Sequence, residues 1–180
     1  MIRKIKNSLF GRFIRSKPYT DTHARQTIEY DQIKTMAFLV DGSNPIALRE
    51  LLNTVHKYAL DGKKLFFFGY VKKLPPFEQE EIIWITQKDM NWFGIPKAPK
   101  IKHFIERDFD VLINTSMKTI RPLEYVSTYS KAKLRIGKYD DKKTYCYDFM
   151  MHMDNDNVYD YLLQVERYLR MVKGIEKIDN

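Results

Sequence analysis

Hydrophobic residues form two kinds of run along this chain, one continuous and one with helical spacing. The segment from Lys34 to Asp41 is almost continuously apolar, as buried parallel strands are. From Ile46 to Leu60, apolar residues instead recur every three or four positions. Between the two runs, residues 42–45 (Gly-Ser-Asn-Pro) supply a turn, a capping residue and a proline suited to a first helical position. The pattern predicts a strand followed by a helix.

The same alternation continues along the rest of the chain. It predicts further strands over residues 64–71, 81–86, 109–114 and 132–137, an edge strand over 147–153, and helices over 100–107, 120–130 and 157–172. Strands that alternate with helices are typical of a mostly parallel sheet covered on both faces. We therefore expect a Rossmann-like three-layer α/β domain over residues 33–173, followed by a short tail over 174–180.

The start of the chain differs from the rest in its charge. Residues 1–17 contain no acidic residue and six basic ones: Arg3, Lys4, Lys6, Arg12, Arg15 and Lys17. Beside them runs an apolar stripe at helical spacing, formed by Ile2, Ile5, Leu9, Phe10 and Phe13. The sequence predicts a basic amphipathic helix within an arm over residues 1–18, joined to the domain by a polar linker over 19–32.

The net charge of the chain is concentrated in this arm. The whole chain has a net charge of +8, whereas the residues after position 17 contain 25 basic and 23 acidic side chains. Electrostatic attraction to an anionic macromolecule is therefore expected in the arm and not across the domain. We expect the six arm bases to contact RNA or the ribosome, with a membrane surface as the second choice.

Several classes of chemistry find little support in the sequence. The single cysteine, Cys146, cannot form an internal disulfide or a site of several thiolates. The four histidines are scattered, and the aspartates between residues 154 and 160 lack a glycine-centred calcium loop. No stretch resembles a membrane span or a secretory signal. We expect no metal, no cofactor, and a cytoplasmic protein associated with the ribosome or the inner membrane surface.

One candidate ligand crevice follows from the predicted topology. Asp41, Ser43 and Asn44 come after the first strand, and Asn114 and Ser116 come after the strand over 109–114. Carboxyl ends of parallel strands share one edge of the sheet, where ligands bind and helix N-termini attract anions. The alternative is that these residues serve only as turn and cap residues, since the glycines of a dinucleotide or phosphate loop are missing.

Three aromatic residues form a second candidate. Trp84, Trp92 and Phe93 lie near Lys88 and Lys97 in the sequence. Aromatic side chains interleaved with basic ones bind single-stranded nucleic acid when they are exposed to solvent. Otherwise they pack in the core, and the sequence alone does not distinguish the two.

Three stretches carry a resemblance to known families. Residues 89–94 (Asp-Met-Asn-Trp-Phe-Gly), 109–113 (Phe-Asp-Val-Leu-Ile) and 130–137 (Ser-Lys-Ala-Lys-Leu-Arg-Ile-Gly) resemble a domain family of unknown function common in Bacteroidota, over roughly residues 35–172. That resemblance implies a fold and no chemistry. The last two stretches are also similar to the N-terminal half of heptosyltransferase-type glycosyltransferases, whose nucleotide-sugar site lies in a second Rossmann-like domain.

These observations lead to three functional hypotheses. The first is a non-catalytic binding or assembly module that contacts an anionic macromolecule through its arm. The second is a small enzyme, related to glycosyltransferases, that binds a nucleotide or nucleotide sugar in the crevice at the sheet edge. The third is a peripheral membrane protein held by the apolar stripe of the arm.

Overall fold

A computed structural model describes residues 10–14, 28–74 and 81–172 of the chain. Its strands are β1 (Thr35–Asp41), β2 (Lys64–Tyr70), β3 (Ile82–Ile85), β4 (Val111–Asn114), β5 (Leu134–Lys138) and β6 (Phe149–Met151). Its helices are α1 (residues 10–14), α2 (Pro45–Leu60), α3 (Pro99–Ile105), α4 (Arg121–Tyr129) and α5 (Val158–Met171). Every strand and helix predicted from residue 34 onward is present, with small differences at the ends.

The six strands form one sheet in the order β3-β2-β1-β4-β5-β6, and every neighbouring pair is parallel. The chain runs outward from β1 to β3, returns to place β4 beside β1, and then continues outward to β6. This is the strand order of the doubly wound Rossmann fold. The predicted fold class is confirmed, and β6 lies at the edge as expected.

Both faces of the sheet are buried. Met36, Phe38 and Val40 of β1 point into a core shared with α2 and α5, whereas Ala37 and Leu39 point into a second core with α3 and α4. All five side chains are fully buried. The continuous apolar run in β1 is a consequence, because a strand covered on both sides needs apolar residues at consecutive positions.

Local signals place the helix ends where the sequence predicted them. The Asn44 side chain accepts hydrogen bonds from the backbone N–H groups of Ile46 and Ala47, and Pro45 occupies the first position of α2. Gly62 follows the helix with a φ of 78°, a conformation that favours glycine. Asn157 caps α5 in the same way as Asn44 caps α2. The side-chain oxygens of Asn44 and Asn157 are therefore occupied by backbone N–H groups of the first helical turn.

Residues 28–32 belong to the packed body, although the sequence analysis assigned them to the linker. Ile28 and Tyr30 are buried in the core beside α2 and α5. The Tyr30 hydroxyl donates to Asp61 over 2.6 Å, and the Arg170 guanidinium carbon lies 3.9 Å from the centre of the Tyr30 ring. These contacts attach the segment to both helices on this face.

The described part of the arm docks on the domain. Phe10 and Ile14 in α1 are each 3% exposed, whereas Arg12 between them faces solvent. The Arg121 guanidinium carbon, at the start of α4, lies 5.5 Å from the centre of the Phe10 ring. The remaining arm bases, Arg3, Lys4, Lys6, Arg15 and Lys17, lie outside the described residues. Across the described ranges, no helix is both long and apolar enough to cross a membrane.

Candidate functional site

The carboxyl edge of the sheet is the candidate site, because the strand order reverses there between β1 and β4. In open parallel α/β sheets, ligands bind in the crevice at this reversal. Asp41 ends β1 and Asn114 ends β4, and Leu39 of β1 pairs with Asn114. The residues predicted to form a crevice therefore lie near the reversal.

The turn after β1 is filled by protein side chains. Asp41 accepts a hydrogen bond from the Ser43 backbone at 2.9 Å, while the Asn44 side chain caps α2. A Cβ atom at Gly42 would lie 2.5 Å from the Trp84 ring and 3.2 Å from Val71. In dinucleotide-binding folds, a glycine here admits a pyrophosphate. In this chain, Gly42 makes room for an indole ring.

Asn114 and Ser116 line a small polar cavity of about 220 Å³ on the side of β4 and β5. The Asn114 side chain donates to the Tyr147 hydroxyl over 2.8 Å, and its oxygen accepts from the Ser116 backbone. The Ser116 hydroxyl donates to the Lys118 carbonyl. Asp41, Ser43 and Asn44 are not among the residues that line this cavity. The structure thus brings together two of the five predicted residues.

The charges in this polar cavity pair with one another. Lys143 Nζ lies 2.7 Å from Glu124 Oε1 and 3.3 Å from Asp140 Oδ2. Burial lowers the pKa of Lys143, but hydrogen bonding and attraction to Glu124 and Asp140 outweigh burial and raise it overall. Glu124 is only 5% exposed. Lys143 is therefore a charged side chain held by two carboxylates.

Two further groups next to the cavity are protonated at neutral pH. Burial raises the pKa of the Cys146 thiol to about 12, and burial also raises the pKa of the Tyr147 hydroxyl. Since the thiolate is the reactive form of cysteine, Cys146 is in its unreactive state. Among the described residues, no cluster of three or more His, Cys, Asp or Glu residues is arranged to hold a metal ion.

A larger groove opens at the carboxyl ends of β2 and β3. It has a volume of about 740 Å³, and we call it the aromatic groove; its lining includes Tyr70, Lys72, Gln87, Trp92, Phe93 and Arg121. Trp92 is 64% exposed and Phe93 is 41% exposed. The two rings meet edge to face, with centroids 5.3 Å apart. The structure therefore separates the three aromatic residues singled out in the sequence: Trp84 packs against Gly42 and Gly69, and the other two face solvent.

Sequence reasoning missed two buried polar clusters. Arg135 pairs with Asp148 over 2.8 Å and donates to the carbonyls of Ser127 and Thr128 at the end of α4. Asp110 accepts hydrogen bonds from the backbone of Lys34 and Thr35 at the start of β1. Arg135 and Asp110 each interrupt an otherwise apolar strand sequence. A charged residue in such a position indicates a buried polar contact, and this was the signal in the sequence that could have identified both clusters. They act in packing rather than at the carboxyl edge.

The strand order of the parallel sheet defines a Rossmann-like α/β protein. The chain belongs to a family of unknown function (DUF6913), whose model matches residues 6–172. The expected membership in a family of unknown function is confirmed, and the match begins inside the basic arm. No curated protein and no solved structure matches the chain.

Proposed function

We propose that this protein is a non-catalytic binding or assembly module that contacts an anionic macromolecule through its arm, with RNA, including ribosomal RNA, as the partner. The observation on which this rests is the charge of residues 1–17, which contain six bases and no acid. The rest of the chain is close to neutral. Basic side chains in a short segment bind phosphates by releasing counterions, which gives a strongly salt-dependent affinity.

The packing of α1 favours RNA over a membrane as the partner. A lipid-bound amphipathic helix inserts its apolar face into the bilayer. Phe10 and Ile14 are instead buried against the domain, and Arg12 on the same segment remains exposed. The part of the arm that the structure describes thus uses its apolar surface for docking and leaves its charge accessible to a partner.

The packing also determines which variant tests the proposal. Deleting residues 1–17 would remove the buried Phe10 and Ile14 together with the charges, so a loss of binding would have two explanations. Replacing Arg3, Lys4, Lys6, Arg12, Arg15 and Lys17 with Gln keeps both apolar anchors. We expect this arm variant to lose its association with ribosomes and RNA. The slope of log affinity against log salt should flatten by up to about 4, or about 0.7 for each single-strand phosphate that the arm no longer neutralises.

A matched control separates local contact from net charge. Gln replaces six exposed bases of the domain: Arg49, Lys64, Lys102, Lys131, Lys142 and Arg167. This control variant has the same net charge as the arm variant, and we expect it to retain most of the binding. Equal losses in the two variants would contradict the proposal. Cosedimentation with anionic vesicles but not with RNA would favour the membrane alternative.

A small nucleotide or nucleotide-sugar enzyme is the second candidate, favoured by the Rossmann strand order. Two observations weigh against it. Trp84 fills the space over Gly42, and the cavity beside Asn114 holds about 220 Å³, below the roughly 300–1,000 Å³ of pockets for drug-sized ligands. A panel of nucleotides and nucleotide sugars at millimolar concentration would raise the melting temperature if this candidate were correct.

A further inference from the structure

We propose that the aromatic groove is a stacking site for the bases of single-stranded RNA, next to the docked helix α1 (residues 10–14). This inference rests on the proposed function and adds a second contact surface to it, at Trp92 and Phe93. Base–aromatic stacking tolerates any sequence, because every base has a flat π-face. The groove would therefore hold bases, while the arm and the basic residues Lys72 and Arg121 of the groove hold phosphates.

The loop that presents the two aromatic rings is tightly hydrogen-bonded. The Asn91 side-chain oxygen accepts hydrogen bonds from the backbone of Phe93 and Ile95, each at 2.9 Å. The Asn91 backbone also bonds to Ile95 and Gly94, and Gly94 has a φ of 80°, which favours glycine. The exposure of Trp92 and Phe93 is thus imposed by a defined turn. A site held in this way loses little entropy on binding.

The charge around the groove is suited to a polyanion. Lys72 and Arg121 are charged residues of its lining, and none of the described lining residues is acidic. Lys73 and Lys88 line a smaller depression that shares Lys72 with the groove. The nearby carboxylate of Asp89 is neutralised in place, because it accepts from Thr86 and lies 3.3 Å from Lys100 Nζ.

The groove is also continuous with the docked arm. Arg121 lines the groove, and its guanidinium group packs over the Phe10 ring of α1. The N-terminus of α4 also lines the groove. Ile120, the residue that precedes α4, has no side chain that could cap the helix. A strand held in the groove would therefore also meet the positive charge of Arg121, directly beside α1.

The test uses the full chain and a labelled single-stranded RNA of mixed sequence, with binding followed by fluorescence anisotropy. Trp92→Ala should weaken binding by roughly 5- to 140-fold, which corresponds to the loss of one stacked base. Tyr159→Ala is the matched control, because Tyr159 is 54% exposed and lies on α5, away from the groove. We expect its affinity to equal that of the unmodified protein.

An abasic probe of the same length identifies the contact as stacking. Without bases, the unmodified protein and the Trp92→Ala variant should bind equally, since both retain every phosphate contact. Trp92→Phe should keep most of the affinity for normal RNA, because phenylalanine also stacks. The inference is wrong if Trp92→Ala weakens binding to the abasic probe as much as binding to normal RNA. It is also wrong if the Trp92→Ala and Tyr159→Ala variants bind normal RNA with equal affinity.

The outcomes separate this inference from the proposed function. If the six-fold Gln variant of the arm loses RNA while Trp92→Ala binds normally, the arm proposal stands and the stacking site is wrong. If the unmodified protein binds neither probe, both are wrong. If Trp92→Ala disrupts a complex with another protein and leaves RNA affinity unchanged, the groove is a protein interface and the inference fails.

Discussion

Two halves of this molecule differ in whether their charged side chains are buried in ion pairs or exposed. In the half formed by β4, β5 and β6, Arg135 pairs with Asp148 and Lys143 pairs with Glu124, with all four side chains mostly buried. Around the aromatic groove, by contrast, the aromatic and basic side chains face solvent or an open cavity. Polar groups that satisfy one another stabilise a fold, whereas exposed rings beside unbalanced positive charge are suited to a partner. We therefore assign the buried pairs of the first half to the stability of the fold, and the groove of the second half remains our proposed contact surface for a partner.

The largest expected effect comes from breaking the buried pair of the first half. Arg135→Met would remove the guanidinium group that pairs with the Asp148 carboxylate, whose side chain is only 6% exposed. The carbonyls of Ser127 and Thr128 would also lose their donor. We expect the free energy of unfolding, measured in urea, to fall by about 3–5 kcal/mol. Arg167→Met, at an exposed base of α5, should change it by less than about 0.5 kcal/mol.

A smaller loss is expected at Asp110, with a characteristic pH dependence. Burial raises the pKa of Asp110, but hydrogen bonds from Lys133, Lys34 and Thr35 outweigh burial and hold it below its usual value. The stabilisation is therefore complete above the unfolded pKa of about 3.9 and is lost as the pH falls through the lower folded pKa. Asp110→Asn should cost about 1.5–3 kcal/mol near neutral pH.

Urea unfolding at several pH values checks the Asp110 prediction. The difference in unfolding free energy between the unmodified protein and the Asp110→Asn variant should narrow as the pH falls below about 4, because the stabilisation by the charged carboxylate is lost as Asp110 becomes protonated. A gap of constant size down to about pH 2 would show that the charge of this carboxylate is not the source of the stabilisation.

The packing of Trp84 sharpens the contrast with Trp92. A Cβ atom at Gly69 would lie 2.3 Å from the Trp84 ring, so Gly69→Ala should destabilise the protein by about 1–3 kcal/mol through overpacking. Thermal unfolding of the double variant with Trp84→Leu tests the cause. Gly69→Ala should destabilise the protein less when residue 84 is Leu than when it is Trp. An equal loss of stability in both backgrounds would contradict a direct contact between Gly69 and Trp84.

The smallest expected effect on stability is at the groove itself. Trp92→Ala should change the free energy of unfolding by less than about 0.5 kcal/mol, because Trp92 is 64% exposed. Chemical denaturation checks this value alongside the RNA measurement. A loss above about 2 kcal/mol would mean that the ring supports the fold, and would remove the contrast between the two halves.

Short-range features of the sequence predicted most of the fold. Asn44, Pro45 and Gly62 mark the ends of α2 by interactions within a few residues, and the alternating runs located every later strand and helix. The candidate crevice was predicted less well. Asn114 and Ser116 line one cavity, but the space near Gly42 is taken by Trp84, which is more than 40 positions away in the sequence. No local pattern reports such a contact.

By itself, the sequence determined the α/β alternation, the capped helix ends and the separation of charge between arm and domain. These depend on residue periodicity, on backbone geometry and on composition, which are local properties. Only the tertiary structure decided the strand order, the docking of Phe10 and Ile14, and which tryptophan faces solvent. Burial depends on residues distant along the chain that come together when the sheet forms, so exposure is a property of the assembled fold.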